Sequence, residues 1–180
     1  LIFALHMLPF YAYIVLSSYI YVDGFGTTEQ VYSYFYASAA LISMIAPYLY
    51  IKCFADFSKK RFLTVCFTFL LISGLAVLTI GQFSPWLFSG SFLIFFFASN
   101  LFRPLSTNVI LEQQEHDIGS ASSVMNMSFN FFGCLGMLLG SLPMHNSILL
   151  LGGAMAVCSL LEVVLWLWLM RSPIAVKGVK

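Results

Sequence analysis

Charge is what this chain has least of. Eight Lys and Arg and seven Asp and Glu occupy 180 residues, so only 8% of positions are charged. An ordinary soluble domain is about 25% charged, and a water-facing surface of this size cannot be covered by so few charges. The net charge of +1 excludes a nucleic-acid binder, which needs a basic patch. Cysteine is equally uninformative. Cys53, Cys66, Cys134 and Cys158 are widely spaced with no CxxC pair, so no zinc or redox motif is expected and they read as small apolar residues. A secretory leader is also missing from the first residues: Leu1 is followed directly by apolar residues, without a basic region or cleavage site. The chain reads as a fragment of a longer protein, and no metal or cofactor is expected.

What is abundant is hydrocarbon. The chain is 61% hydrophobic and 17% aromatic, with a mean hydropathy of +0.94. A bilayer core of about 30 Å needs roughly 20 helical residues. The sequence divides into six such runs: 1–22, 31–54, 62–81, 86–111, 121–142 and 148–170. They are continuous and do not alternate, which excludes a transmembrane barrel. The expected fold is all-α: a polytopic bundle of six transmembrane helices over 1–170, with a basic tail at 171–180. Thr27 and Gln30 stand at capping-box spacing, Ser84-Pro85 is a cap followed by an N1 proline, and Asn146 and Ser147 precede the last run.

The basic residues sort by connection. Lys59, Lys60 and Arg61 follow the second run, with Lys52 just before, and Arg171, Lys177 and Lys180 follow the sixth. Connections after the first, third and fifth runs contain no Lys or Arg. The positive-inside rule makes the basic side, and with it both ends of the unit, cytoplasmic. The connection bearing Glu112, Glu115 and Asp117 falls on the same side.

Polar residues inside the runs are the candidate functional groups, because such groups face a bundle interior or a wet cavity. In the first helix His6, Tyr13 and Ser17 share a face with Phe10, and Pro9 breaks the backbone. In the second, Tyr36 and Ser43 lie deep, whereas Tyr32 and Tyr34 read as an interfacial belt. The fourth carries Asn100, Arg103 and Thr107 on one face, beside Pro104. Arg103 reads either as a cavity residue or as a snorkelling side chain. The fifth presents Asn126 and Asn130, followed by Gly133, Gly136 and Gly140 at spacings that admit a close helix. Glu162 is the one acid deep in a span. It has the chemistry of a proton carrier, and reads equally as a neutral, snorkelling or paired carboxyl.

Three stretches resemble the C-terminal six-helix half of a major facilitator superfamily transporter, in the drug-efflux branch of bicyclomycin and chloramphenicol resistance proteins. Tyr11-Ala12-Tyr13-Ile14 through Ser17-Ser18, then Phe25-Gly26 and Tyr34-Phe35-Tyr36-Ala37, are similar to that branch's seventh and eighth helices. Ala55-Asp56-Phe57-Ser58-Lys59-Lys60-Arg61 resembles the degenerate acidic-then-basic loop between the eighth and ninth helices, and lacks the full glycine-rich pattern found in the N-terminal half of such proteins. Gly119-Ser120-Ala121-Ser122-Ser123 resembles the start of the eleventh helix. The resemblance covers essentially the whole chain. It implies alternating access by two rocking halves, a cavity lined by the first, second, fourth and fifth helices, a partner N-terminal six-helix half, a bacterial inner membrane, and proton coupling. The expected function is proton-coupled efflux of small amphipathic or drug-like substrates. The alternative is a non-transporting membrane subunit that pairs with another six-helix protein. No enzyme is expected: Gly119-Ser120-Ala121-Ser122 and His145 could suggest a serine–histidine hydrolase, but the serines and His145 fall on opposite sides of the membrane.

Overall fold

Three of the apolar runs have a signal at their start that a helix can use, and the computed structural model shows how these act. It describes residues 2–55, 57–114, 117–143, 146–172, 176 and 179. Asp56, Glu115, His145, Lys177, Lys180 and most of the tail at 171–180 lie outside the described residues. Helix α1 (Met7–Ser18) follows a 3₁₀ turn at Ile2–Ala4 and opens into a π-helical stretch at Tyr19–Gly24. Helix α2 (Glu29–Leu49) continues into π-helical Tyr50–Phe54. Then come α3 (Lys59–Thr79), α4 (Pro85–Leu111), α5 (Ile118–Gly140) and α6 (Ser147–Arg171). Among the described residues there are thus six helical spans long and apolar enough to cross a membrane.

The caps are mostly those expected. Ser84 accepts from the Trp86 N–H ahead of Pro85, and Asn146 accepts from Ile148 and Leu149. The start of α2 is displaced by one residue from the capping-box reading. Thr28 is the N-cap, accepting from Val31 N at 3.3 Å, because Thr27 spends its hydroxyl on the Tyr21 carbonyl at 2.7 Å. Gly26, at φ +67°, makes the turn between them. Pro9 and Pro104 act differently from one another. Pro9 sits in the first turn of α1, where no N–H is required, and the break falls before it. Helix α4 runs through Pro104 without ending.

The packing has an internal two-fold logic. Helix α5 packs on α1 and α2 packs on α4, while α3 and α6 pack on each other. Helix α3 also packs on α4, as α6 does on α1. Exchanging the first three helices for the last three maps this set of contacts onto itself. Three spans per unit is an odd number, so the two triplets run in opposite directions across the bundle. Helices α1 and α4 are therefore central. Helices α2 and α5 flank them, and each buries a single stripe: Phe35, Ala39 and Ala46 on α2, and Gly133, Gly136 and Gly140 on α5.

Close approach is written in glycine. A methyl group on Gly136 would overlap the Leu8 carbonyl of α1, and one on Gly74 would lie 2.8 Å from the Ala156 backbone nitrogen of α6. The stripe Gly133-Gly136-Gly140 thus admits α1, as small-residue spacing implies. At the end where the α2–α3 and α4–α5 connections lie, Lys59 pairs with Glu112 at 3.3 Å. Both side chains are substantially exposed, so the pair contributes at most about 1 kcal/mol.

Candidate functional site

Two polar constellations stand inside the apolar bundle. The first lies where α1, α2 and α4 meet. Tyr13 is buried and stacks on Phe92 with ring centroids 3.8 Å apart, and Phe10 stacks on Phe96 at 4.6 Å. Ser17, one turn beyond Tyr13, is buried and lies 3.0 Å from the Tyr32 hydroxyl of α2. Deeper along α2, the Ser43 hydroxyl accepts from the buried Asn100 amide of α4 at 3.3 Å. Both partners have local bonds as well: Asn100 donates to the Phe96 carbonyl at 2.9 Å, and Ser43 to the Ala39 carbonyl at 3.1 Å. Ser17 likewise reaches Ile14 O at 3.3 Å.

Tyr32 therefore bridges two helices, whereas the sequence reading assigned it to an interfacial belt. Burial of Ser17, a neighbour it could bond, draws the ring inward. Tyr34 is exposed and accepts from Gln30 on its own helix. The remaining sequence candidates are not drawn into the bonded seam. Tyr36 is exposed, in ring contact with Tyr32 at 5.9 Å. Arg103 is exposed, its carbonyl taken by Ser106 and Thr107, and among the described residues no acid pairs with its guanidinium. Asn126 and Asn130 are exposed on α5.

The second constellation joins residues 156 positions apart. Glu162 Oε1 accepts from the backbone N–H of His6 at 2.8 Å and lies 3.0 Å from His6 Nδ1. His6 is 2% exposed and Glu162 fully enclosed, which decides that no solvent screens the pair. Local structure explains why this carboxyl is accepted. His6 sits in the break before α1, where its N–H lacks a helical acceptor, so Glu162 caps α1 from another helix. A carboxyl group at a helix N-terminus also meets the positive end of the peptide dipoles.

Aromatic rings pack beside the pair. Phe102 meets the His6 ring edge-on at 4.9 Å, Phe3 and Phe67 pack on Phe102, and Trp166 packs on Phe3 and Phe67. Trp166 donates to Thr64 at 2.9 Å, tying α6 to α3 beside it. Among the described residues, His6 Nε2, Glu162 Oε2 and Ser159 Oγ are buried without partners. One proton placed on either ring or carboxyl leaves the pair neutral overall, which is how two ionisable groups are held at low dielectric. Nothing in the sequence pairs them directly. The available signal is that both are titratable groups within apolar runs, each near the same end of the bundle.

Asp56 of the loop motif is undescribed. Lys59 binds Glu112, while Lys60 and Arg61 are exposed at the start of α3. Among the described residues no three His, Cys, Asp or Glu side chains converge as metal ligands. Compared with known protein families, curated proteins and solved structures, the chain matches none.

Proposed function

We propose that this chain forms one half of a secondary transporter of the major facilitator kind, which exports small amphipathic compounds in exchange for protons. The observation that carries the reading is the packing pattern, in which two oppositely directed triplets repeat one set of contacts. Inverted repeats of this kind surround the central site of many secondary transporters. Helices α2 and α5 bury only one stripe each, which suits faces that a second six-helix half would cover. Tyr13, Ser17, Tyr36, Ser43, Asn100, Arg103, Thr107, Asn126 and Asn130 are the residues this reading assigns to the cavity. Their mixture of rings, amides and hydroxyls suits weakly charged amphipathic compounds. Glu162, held by His6, is the group it assigns to the proton. In this reading the protein resides in the bacterial inner membrane with both ends in the cytoplasm.

Vesicles containing the full-length protein test it. An imposed pH gradient is expected to drive accumulation of a lipophilic dye, and collapsing the gradient should stop it. Dye flux that ignores the gradient, or no flux, overturns the reading. Arg103→Ala should lower transport while leaving membrane insertion intact. Unchanged transport of several substrates removes Arg103 from the cavity.

A further inference from the structure

Helices α2 and α3 are joined by a short connection, yet they do not pack along their length, because both lean on α4 instead. The gap they leave is a slot of about 710 Å³, with α4 as its floor. Ile42 and Phe54 line it from the α2 side, Val65 and Phe69 from α3, and Phe97 and Ala98 form the base. Tyr50, Phe54 and Phe62 cluster at one end, with ring centroids 5.2 and 5.5 Å apart. At that same end stands Arg61, the only charged residue of the lining among the described residues. It is exposed, and among the described residues no acid pairs with it, although its neighbour Lys59 is engaged by Glu112.

We propose that this slot is a binding site for an anionic phospholipid, with the headgroup on Arg61 and one acyl chain along Val65, Phe69 and Phe97. Three observations select this occupant. Among the described residues the wall is almost wholly apolar, and Arg61 is its one charged partner for a ligand. From Arg61 to Phe69 the slot runs along eight residues of α3, about 12 Å, which lies within one leaflet of a ~30 Å hydrocarbon core. The charge sits at the end where Lys52, Lys59 and Lys60 also gather, so headgroup depth and headgroup charge coincide. The site lies outside the polar seam and does not depend on what the protein transports. It rests only on the helices crossing a bilayer.

The test uses bromine-labelled lipids, whose acyl chains quench a nearby indole. The chain carrying Phe97→Trp as reporter is placed in vesicles of equal parts phosphatidylglycerol and phosphatidylcholine, with bromine on one lipid or the other, and quenching is read against the parent without the reporter. The phosphatidylglycerol chains should be favoured about fivefold, the size expected for one basic residue near the surface. Arg61→Gln in the reporter background should bring the preference to one while total quenching persists. Equal quenching by both lipids before that substitution overturns the proposal. So does a reporter that neither lipid reaches, which would mean that protein covers the slot. Native mass spectrometry of the chain without the reporter gives a reading independent of Phe97→Trp. Retained phosphatidylglycerol should be lost in Arg61→Gln, and retention of no lipid, or of phosphatidylcholine alone, overturns the assignment.

Discussion

The two polar constellations differ in what happens when a bond is broken. In the α1–α2–α4 seam, each of Asn100, Ser43 and Ser17 already bonds a carbonyl of its own helix. An interhelical bond lost there leaves the donor satisfied. The His6–Glu162 pair has no such fallback. The carboxyl takes both its bonds from His6, the residue just before α1, and is fully buried. The first arrangement tolerates sliding between helices, and the second fastens α1 to α6.

The largest expected effect comes from opening the fastener. Glu162→Ala leaves the His6 ring and its backbone N–H without their acceptor, and His6→Ala leaves the carboxyl only that N–H; removing one member of a buried pair costs about 3–5 kcal/mol in the general case. Thermal unfolding in detergent should show a large fall for either. The combined His6→Ala, Glu162→Ala protein should lose less than the two single losses added, and the coupling is read from the double-mutant cycle. Additive losses would mean that the two groups do not act as a pair.

A smaller effect should come from pushing apart the same closed side. Gly74→Ala places a methyl against α6 backbone, which cannot rotate away, and overpacking of this kind costs about 1–3 kcal/mol. Gly153→Ala, on α6 with open space around it, is the matched control. It should be neutral or slightly stabilising, since alanine favours helix by about 1 kcal/mol. Equal losses at both positions would argue against the close α3–α6 contact.

Smallest of all is the seam. Asn100→Ala removes one interhelical bond, and such bonds average about 0.6 kcal/mol within membranes. The melting curve should hardly move, and if the proposed transport holds, it should change more than stability does. A loss as large as that of Glu162→Ala would erase the distinction between fastener and seam.

Much of the fold was legible beforehand because its governing forces act locally. The ends of the six spans follow from hydrocarbon length, and Ser84-Pro85 and Asn146 cap through their own side chains. The same holds for the glycine stripe of α5, whose spacing announces a close helix without naming it. The candidate site was legible only as residue types. Ser43 and Asn100 were both visible as deep polar groups, but on separate helices. Tyr32 looked like a belt residue, because its distance from the span end says nothing of Ser17 across the gap.

By itself, then, the sequence determined that the chain is a six-helix bundle with its charges gathered toward the ends. Burying apolar runs and satisfying every backbone group leaves few other forms. The tertiary structure alone decided that α1 packs on α5 and α3 on α6, and that an isolated glutamate meets a histidine 156 residues away. It also decided that α2 and α3 part to leave a slot at Arg61. Periodicity assigns a residue to a face, but which helix meets that face is settled by the simultaneous fit of all six.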